Sequence, residues 1–506
     1  MDKRRFIINL SANILSAISG ILVSFLLTPF IVKELGKEAY GFYPLASNFT
    51  VYVGILTTAV NSMFGRYILI SYENKENHVI NEYYSTVFLT NLLFSIAIGL
   101  GSFMFLYFIN DFLDIPINLR KDVGLLFLFT FISVIITLLG SVFSIVGFVL
   151  NRLEINAIRK IIGDTINIFL LLFLFFHFVP KIYFLGISGM VMSVYLLISN
   201  SIITKKLLPN VSIKISLFRK ELLFILIGAG IWNSIMGFSD AIFFQLDLLI
   251  ANTKLGATEM GELALTKQFP ALISMLASVI IPVFIPTFIK NFAHNDEQEF
   301  KKNINFSFKF SSVALLIPLG FIMVYANVFY TLWTPNENSS KLALLLILSL
   351  SKYIVQLTIE PIFSIYITLN KIKVPALWAV FTAILNLVLV LLLLKYTSWG
   401  IFAIPIAALI IGNFSHLTFS PLYAAKILNY SPWVFYKIII QGLFVLGITV
   451  VVSYIGKSIL TSHYNWLSLS LTAIACGLIA LFFSFLIVFS KEQLKSVVSL
   501  IQSKIS

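Results

Sequence analysis

The sequence contains a single cysteine and little charge. Cys476 is the only cysteine among 506 residues, which excludes an internal disulfide and a metal site built from several cysteines. Asp, Glu, Lys and Arg make up 11% of the chain, against about 25% in a soluble domain. So little charge cannot cover the surface of a water-soluble protein of this size. With 59% hydrophobic residues, the composition predicts an all-α polytopic membrane protein.

The sequence also lacks the signatures of catalysis. No metal motif, nucleotide-binding loop or nucleophile constellation appears, and the five histidines are scattered along the chain. A membrane-embedded glycosyltransferase or polymerase usually carries a large extracytoplasmic loop, and no predicted outer loop here is long. We therefore predict a protein that is not an enzyme and needs no cofactor. The net charge of +13 is expected to face anionic lipid and not nucleic acid.

Long apolar runs define the predicted membrane spans. A helix that crosses the hydrocarbon core needs about 20 apolar residues. The first run, Phe6 to Val32, is too long for the apolar region of a signal peptide, about 7–15 residues, and is expected to be retained. The sequence predicts fourteen spans, at 6–32, 40–70, 83–109, 123–150, 158–180, 182–204, 222–252, 262–290, 305–330, 341–369, 374–396, 398–425, 433–456 and 466–490.

The positive charges predict the orientation of the chain. Fourteen is an even number, so both termini lie on the same side of the membrane. If that side is the cytoplasm, most of the 35 Lys and Arg residues fall in or near inner loops. This is the bias that membrane proteins follow. We predict a multi-pass protein of the bacterial cytoplasmic membrane with both termini inside the cell.

Two short sequence motifs each recur in similar form later in the chain. LGKEAYG at 35–41 returns as LGATEMG at 255–261, an offset of 220, and LNRL at 150–153 returns as LNKI at 369–372, an offset of 219. Gly36 and Gly256 are expected to end a helix in a left-handed conformation, although an ordinary tight loop would use the same residues. The matches indicate an internal duplication.

The duplication predicts the domain organisation. Each copy holds six spans, an even number, so the two copies run parallel about an axis along the membrane normal and enclose a central cavity. The predicted domains are an N-terminal lobe at 1–204, a basic cytoplasmic linker at 205–221, a C-terminal lobe at 222–426, and a region at 427–506 with the last two spans and a cytoplasmic tail.

With these features, the sequence resembles the polysaccharide exporter branch of the multidrug/oligosaccharidyl-lipid/polysaccharide exporter superfamily. The resemblance rests on PFIVKELGKEAYGFYPLA in the first repeat and QLDLLIANTKLGATEMGELALTKQF in the second. In that family the seventh span typically carries an Asp followed by apolar residues, a Leu-Gly and a further Gly. Asp247, Leu255, Gly256 and Gly261 occupy these places. The resemblance implies a flippase for isoprenoid-linked glycan precursors with a 6+6+2 arrangement of spans.

Charged side chains inside the spans are the candidate substrate contacts, because a charge at mid-bilayer costs about 2.5–3.5 kcal/mol and normally faces a cavity or a partner. Lys267 and Gln268 lie in span 8, and Ser47-Asn48 holds the equivalent place in the first repeat. A cation with amide donors suits a phosphate group. We predict that Lys267, Gln268 and Asn48 bind substrate. Lys267 could instead snorkel to the interface.

Two further cations are candidates. Arg66, near the inner end of span 2, either receives the phosphate from the cytoplasm or anchors the helix at the interface. Lys352, Gln356 and Glu360 are spaced i, i+4, i+8 in span 10 and so share one helix face. This stripe predicts a cavity wall in which Lys352 and Gln356 bind substrate. Glu360 is either a counter-ion for Lys352 or a proton carrier.

Acidic residues in span 7 are candidates for coupling. Asp240 and Asp247 are seven residues apart, which places them on one face of an uninterrupted helix, with Gln245 nearby. Asp247 either lines the cavity, pairing with a lysine or taking up a proton, or forms a helix–helix hydrogen bond. Asp164 in span 5 is expected to be structural, paired with Arg159 or Lys160.

The predicted function is outward flipping of an isoprenoid-(pyro)phosphate-linked oligosaccharide by alternating access. The alternative is a cation-coupled multidrug antiporter of the same superfamily, which would need a negative, aromatic cavity. A nonspecific channel does not fit a duplicated chain. The expected partners are the lipid-linked glycan and membrane lipids. Coupling to H⁺ or Na⁺ and contacts with other polysaccharide-assembly proteins are left open, and a monomer is expected.

Overall fold

The computed structural model describes residues 3–285, 288, 289, 291, 297–369, 371–459 and 464–489, and all regular elements in these residues are helical. The predicted cytoplasmic tail, 491–506, lies outside the described residues. The helices are α1 (Lys3–Glu73), α2 (Asn77–Phe112), α3 (Arg120–Ser144), α4 (Val146–Val149), α5 (Glu154–His177), α6 (Tyr183–Leu207), α7 (Lys220–Asp240), α8 (Leu246–Leu255), α9 (Ala257–Thr266), α10 (Gln268–Ile280), α11 (Glu297–Trp333), α12 (Ser339–Ser351), α13 (Tyr353–Ile359), α14 (Ile362–Thr368), α15 (Lys373–Tyr396), α16 (Ala403–Leu417), α17 (Phe419–Leu428), α18 (Trp433–Ile459) and α19 (Trp466–Val488).

Short elements connect or interrupt these helices. A π-helical segment, Ala241–Gln245, joins α7 to α8. Turns of 3₁₀ helix occur at Ile117–Leu119, Ile215–Leu217, Ile281–Phe284 and Gly400–Phe402. The predicted all-α membrane fold is confirmed.

The described helices include eleven that are long and apolar enough to cross a membrane, or up to twelve if the bent pair Phe25–Tyr52 and Thr57–Glu73 counts as one span. The predicted spans 6–32 and 40–70 lie together in α1, which bends at Gly36. Gly36 has φ +82°, a left-handed conformation that costs a side chain free energy and that glycine adopts freely. Gly256, with φ +107°, ends α8 in the same way. The count of fourteen spans stays a prediction.

The chain forms two compact units, Met1–Ala264 with Ala376–Ala383, and Leu265–Pro375 with Ile384–Ser506. In the first unit, α3 packs along α6, and α1 packs along α7. A buried cluster that includes Phe64, Ile68 and Tyr84 packs between α1, α2, α3 and α7. The lobe boundaries at 204 and 222 follow from the sequence repeat and stay a prediction.

The second unit is built around α11. This helix packs against α18, α12 and α19, and its buried side chains include Phe308, whose ring meets that of Phe435 at a centroid distance of 5.9 Å.

In the first unit the close approach of α3 and α6 depends on Gly186, where a Cβ would lie 3.0 Å from the Cβ of Phe129. Small residues at helix crossings are typical of membrane helices, because association there depends on close packing.

The crossing of α1 and α7 gives a test of this packing. A Cβ on Gly230 would collide with the backbone carbonyl of Ala59, whereas a Cβ on Gly228 of the same helix meets open space. Gly230→Ala should lower the thermal unfolding midpoint, because overpacking costs about 1–3 kcal/mol. Gly228→Ala should raise it slightly, since alanine in a helix is favoured over glycine by about 0.5–1 kcal/mol. Fluorescence-detected size-exclusion melting in detergent measures both midpoints; equal midpoints would contradict the observed crossing.

Candidate substrate cavity

The first unit contains a cavity of about 630 Å³. Its walls come from α1, α3 and α6. The volume falls within the range of about 300–1,000 Å³ that is typical of small-molecule sites. Its lining is rich in hydroxyl groups, from Tyr43, Ser47, Thr50, Thr57, Thr58, Ser62, Thr130, Ser133, Thr137, Ser141 and Ser193.

Most of these hydroxyls donate their proton to the backbone of their own helix. Thr130 Oγ1 donates to the carbonyl of Leu126 at 2.8 Å, and Ser133 Oγ to that of Phe129 at 2.9 Å. Serine and threonine in helices commonly make this i−4 bond. Because a hydroxyl has one donor and two acceptor lone pairs, the oxygens that remain can accept hydrogen bonds from a ligand. The cavity is therefore mainly a surface of acceptors.

A buried amide network holds one part of the wall in place. Asn91 of α2 is fully buried, and the two N–H groups of its Nδ2 are shared among three acceptors, Asn61 Oδ1, Ser141 Oγ and the carbonyl of Leu138, each at 3.2 Å. Asn61 Nδ2 also donates to the carbonyl of Thr57 at 3.0 Å. The network ties α1, α2 and α3 together, so the lining residues Asn61 and Ser141 have fixed orientations.

The residues that line this cavity carry no charge. The candidate residues of the first repeat fall elsewhere. Asn48, one position beyond the lining residue Ser47, is buried, and its Nδ2 donates to the backbone carbonyl of Gln245 at 2.9 Å. Arg66 is exposed, so its two predicted roles, phosphate contact and interfacial anchor, both remain predictions.

The sequence repeat connects this cavity to the predicted polar stripe. At the offset of 219, the cavity residues Ser133, Thr137 and Ser141 are equivalent to Lys352, Gln356 and Glu360, respectively. At the offset of 220, Ser47 is equivalent to Lys267. The second repeat therefore carries charged or amide side chains at the positions where the first repeat lines a cavity with hydroxyls.

The three residues of the stripe have the same degree of exposure. Lys352, Gln356 and Glu360 are partly exposed, whereas Tyr353 and Leu357 between them are buried. The short helix α13 runs between Lys352 and Glu360, and Pro361 follows. Proline has no N–H to donate and clashes with the preceding turn, which accounts for the helix ending there. The partial exposure of the three residues agrees with the predicted stripe; their common face and their contact with substrate stay predictions.

Lys267 also lies at a break between helices. It separates α9 from α10 and is partly exposed, as is Gln268. Pro270 lacks the N–H that would bond to the carbonyl of Thr266, so the helical ladder is interrupted one residue before Lys267. Interrupted membrane helices commonly form the binding sites of transporters, because unpaired backbone groups can reach the ligand. The position of Lys267 is consistent with the predicted substrate contact.

Span 7 departs from the straight helix that the sequence predicts. The π-helical segment between Asp240 and Asp247 contains wider turns than an α-helix, so residues seven apart no longer share a face. Asp240 is exposed, whereas Asp247 is partly buried and accepts from the backbone N–H of Leu248 at 3.0 Å. The inference that both carboxylates lie on one face is therefore wrong.

The π-helical segment is held by α1. The carbonyl of Gln245 accepts from Asn48 Nδ2 and from Tyr52 Oη at 2.8 Å. Asp247 lies close enough to Tyr52 to interact with it electrostatically. The side chain of Asn48 thus donates to a backbone carbonyl. The sequence did not predict this bond, because no proline marks the π-helical turn. π-Helical turns occur frequently at functional sites.

The two LGxxxxG hairpins meet at their predicted outer ends. Thr258 Oγ1 donates to Glu38 Oε1 at 2.7 Å, and Lys37 Nζ forms an ion pair with Glu262 Oε1 at 2.9 Å. A Cβ on Gly41 would lie 2.9 Å from the Cα of Gly261. Glu38 and Thr258 are equivalent at the offset of 220, as are Gly41 and Gly261. Equivalent residues of a twofold repeat can meet only on its axis, so the predicted axis passes through this contact.

Asp164 has the structural pairing that the sequence predicts. Its Oδ2 lies 3.1 Å from Lys160 Nζ and accepts a hydrogen bond from Ser19 Oγ at 2.9 Å. Arg159 instead donates to the carbonyl of Ile155. The prediction that Asp164 pairs with a neighbouring cation of α5 is confirmed for Lys160.

Comparisons with known proteins place the fold. No family model matches the chain. A relative described as the uncharacterized membrane protein EpsK of Bacillus subtilis (strain 168) is 29% identical over 497 residues, covering 97% of this chain and 96% of its own. The structure of the lipid II flippase MurJ in an inward closed conformation has a TM-score of 0.66 at 16% identity, covering 95% of this chain and 99% of that one. An inward-facing multidrug resistance MATE family transporter has a TM-score of 0.63 at 15% identity, covering 84% and 98%.

These likenesses agree with the resemblance inferred from sequence at the level of fold. The MATE transporter belongs to the MOP superfamily, and MurJ covers nearly the whole of the present chain. The polysaccharide exporter branch within that superfamily stays a prediction. The chain is a multi-pass membrane protein with the fold of the MOP superfamily transporters.

Proposed function

We propose that this protein is a flippase that moves an isoprenoid-(pyro)phosphate-linked oligosaccharide from the inner to the outer leaflet of the cytoplasmic membrane, for the synthesis of a cell-surface polysaccharide. One observation carries the proposal. Lys267, Lys352 and Gln356 of the second repeat occupy positions whose equivalents line a cavity in the first. The likeness to the fold of a lipid II flippase supports it.

The second repeat supplies the groups that a phosphate requires. A lysine ammonium offers three donors and a compact charge, and an amide adds a further donor. Lys352 and Gln356 are one helical turn apart on the accessible face of α13 and can reach one anionic group together. Glu360 lies one turn beyond Gln356, and its proposed role is either counter-ion for Lys352 through Gln356 or proton carrier.

The same observation disfavours the antiporter. A multidrug antiporter carries organic cations, and a cation in a low-dielectric cavity needs a carboxylate or a face of aromatic rings. The cavity of the first unit has no carboxylate in its lining. The equivalent positions in the second repeat include two lysines, which repel cations and outnumber the single carboxylate there, Glu360. Both features favour a substrate with a neutral part and an anionic part.

The mechanism that fits this substrate is alternating access. The sugar–phosphate head enters the protein from the cytoplasm while the isoprenoid tail stays in the bilayer. The outer hairpins, joined by the Lys37–Glu262 and Glu38–Thr258 contacts, separate to release the head outside. The predicted monomer with cytoplasmic termini needs no other partner for this cycle, and an H⁺ or Na⁺ requirement would be set by Asp247 or Glu360.

Reconstitution tests the function directly. Purified protein is placed in liposomes with a fluorescent polyprenyl-diphosphate-linked oligosaccharide, and impermeant dithionite reports how much label has reached the outer leaflet. We expect flipping that depends on the protein. A parallel assay with ethidium tests the alternative. Transport of ethidium without transport of the glycolipid would contradict the proposal.

Membrane potential provides a second readout. Moving one negative charge outward from a negative interior is favoured by about 2.3 kcal/mol per 100 mV, which is about 50-fold at equilibrium. A valinomycin-generated K⁺ potential, negative on the side from which the head departs, should therefore shift the lipid toward the opposite leaflet, and the reversed potential should shift it back. A distribution that does not respond to either potential would indicate charge-neutral transport and require a compensating ion.

A further inference from the structure

We propose that the hydroxyl-lined cavity of the first unit is the subsite for the sugar part of the substrate. This inference rests on the proposed flippase function and adds a division of roles between the repeats. It follows from the chemistry of the cavity lining and from its difference from the equivalent positions in the second repeat.

The lining excludes charged ligands. With no Lys or Arg among the residues of the wall, a phosphate inside would lose its hydration without a compensating cation. With no Asp or Glu there, an organic cation or a metal ion would likewise lack a counter-charge. A ligand that stays in this cavity is therefore neutral.

The hydroxyls of the wall select for a ligand that donates hydrogen bonds. Thr130 and Ser133 have already given their protons to backbone carbonyls, and Thr137 Oγ1 donates to Ser193 Oγ at 3.2 Å across the α3–α6 interface. The remaining lone pairs can accept protons from the ligand. A sugar ring carries several hydroxyl donors, which an apolar drug or an isoprenoid tail lacks.

Glycines shape the rest of the wall. Gly54 and Gly189 line the cavity, and a Cβ on either would meet open space, so both leave room where a side chain would project. The apolar side chains of the lining, Val134, Leu138 and Leu185, suit the C–H face of a sugar ring, which lies beside its hydroxyl edge. Hydroxyl acceptors next to apolar surface match the two sides of a pyranose.

The repeat comparison supports the same division. The hydroxyl side chains of Thr130, Ser133 and Thr137 are equivalent to Ser349, Lys352 and Gln356 at the offset of 219. Two of the three positions have thus changed from a neutral hydroxyl to a cation or an amide. A fourth lining residue, Ser141, is equivalent to Glu360, so the second repeat carries charge where the first is neutral. A neutral set of positions in one repeat and a charged set in the other match a ligand with one neutral end and one charged end.

The test removes three hydroxyls without changing the shape of the wall. The triple variant Thr130→Val/Ser133→Ala/Thr137→Val is compared with Thr165→Val/Thr253→Val/Ser470→Ala, which removes the same groups from exposed positions outside the cavity. Each control hydroxyl donates to its own helix, at Ile161, Leu249 and Trp466, respectively. Binding in detergent is measured by thermophoresis with two probes: a polyprenyl diphosphate carrying one N-acetylhexosamine, and sugar-free polyprenyl diphosphate.

The expected result is a selective loss. The cavity variant should bind the glycosylated probe at least about 10-fold more weakly, because each lost hydrogen bond to a sugar lowers affinity several-fold. Its affinity for the sugar-free probe should not change, and this also shows that the variant is folded. The control variant should bind both probes as the wild type does.

Three other outcomes would overturn the sugar subsite. If the cavity variant binds both probes normally while the wild type flips glycolipid, the flippase function stands and the subsite is wrong. If the wild type binds neither probe, the flippase function fails and the subsite with it. If the wild type binds ethidium and the cavity variant does not, the cavity is a cation site.

Discussion

Replacing Lys267 and Lys352 together by alanine should lower glycolipid flipping at least about 100-fold. A hydrogen bond from a charged donor contributes about 1.5–3 kcal/mol, so each lysine accounts for roughly 10- to 150-fold in affinity for the phosphate. The loss should appear for sugar-free polyprenyl diphosphate as well, since the missing contact is with the phosphate. Flipping in proteoliposomes and thermophoretic binding of both probes measure the effect.

A matched control distinguishes phosphate binding by Lys352 from the packing of a lysine against a tyrosine ring. Lys395 Nζ lies 5.2 Å from the ring centre of Tyr396, much as Lys352 Nζ lies 5.1 Å from that of Tyr353. Lys395 is exposed at the end of α15, so Lys395→Ala should transport normally. Lys267→Arg/Lys352→Arg keeps both charges and should retain part of the activity. Normal flipping by the double alanine variant would remove both lysines from the proposed site.

Several features of the fold follow from local sequence. The bend at Gly36 and the end of α8 at Gly256 were predictable because a left-handed residue there favours glycine. The stripe of Lys352, Gln356 and Glu360 was predictable because i, i+4 spacing places side chains on one face whenever the helix is nearly regular. Such inferences need no knowledge of neighbouring helices.

The cavity could not be predicted in the same way. A charged side chain in a membrane span draws attention because placing it in lipid costs free energy. A serine or threonine that bonds to its own helix costs little free energy there, so the sequence does not identify Ser133 and Thr137 as site residues. Their spacing was nevertheless a signal, because positions 130, 133, 137 and 141 share one face of α3. Only the packing of α1 and α6 against that face makes it a cavity wall.

The π-helical turn before Asp247 was even harder to predict from the sequence. No proline marks the segment 241–245, and it depends on the two hydrogen bonds that Asn48 and Tyr52 donate to Gln245 from a distant part of the chain. The prediction that Asp240 and Asp247 share a face failed because it assumed local regularity. The π-helical segment is joined to α1 by tertiary hydrogen bonds, which residue spacing does not reveal.

Locking the outer hairpins should stop transport completely and reversibly. Glu38 and Thr258 are in direct contact, so cysteines at both positions, with Cys476→Ala to remove the buried native thiol, should form a disulfide on oxidation. Because alternating access requires the hairpins to separate, flipping should fall to background and return after reduction. Maleimide–polyethylene glycol gel shifts measure the linkage, and the two single-cysteine variants are the controls. Transport by the oxidised double variant would show that the hairpins stay joined throughout the cycle.

Gly261, at the same contact, should determine what fraction of the molecules has the hairpins closed. A Cβ on Gly261 would collide with the carbonyl of Lys37, so Gly261→Ala should destabilise the closed contact by about 1–3 kcal/mol. That shift lowers the ratio of closed to open hairpins by roughly 5- to 150-fold. The rate of disulfide formation between the cysteines at 38 and 258 should fall accordingly, and flipping should slow because the outer side no longer seals. Gly101→Ala, in an exposed part of α2 with open space around the new methyl group, should change neither rate. Equal disulfide rates in the two variants would mean that the glycine contact does not control closure.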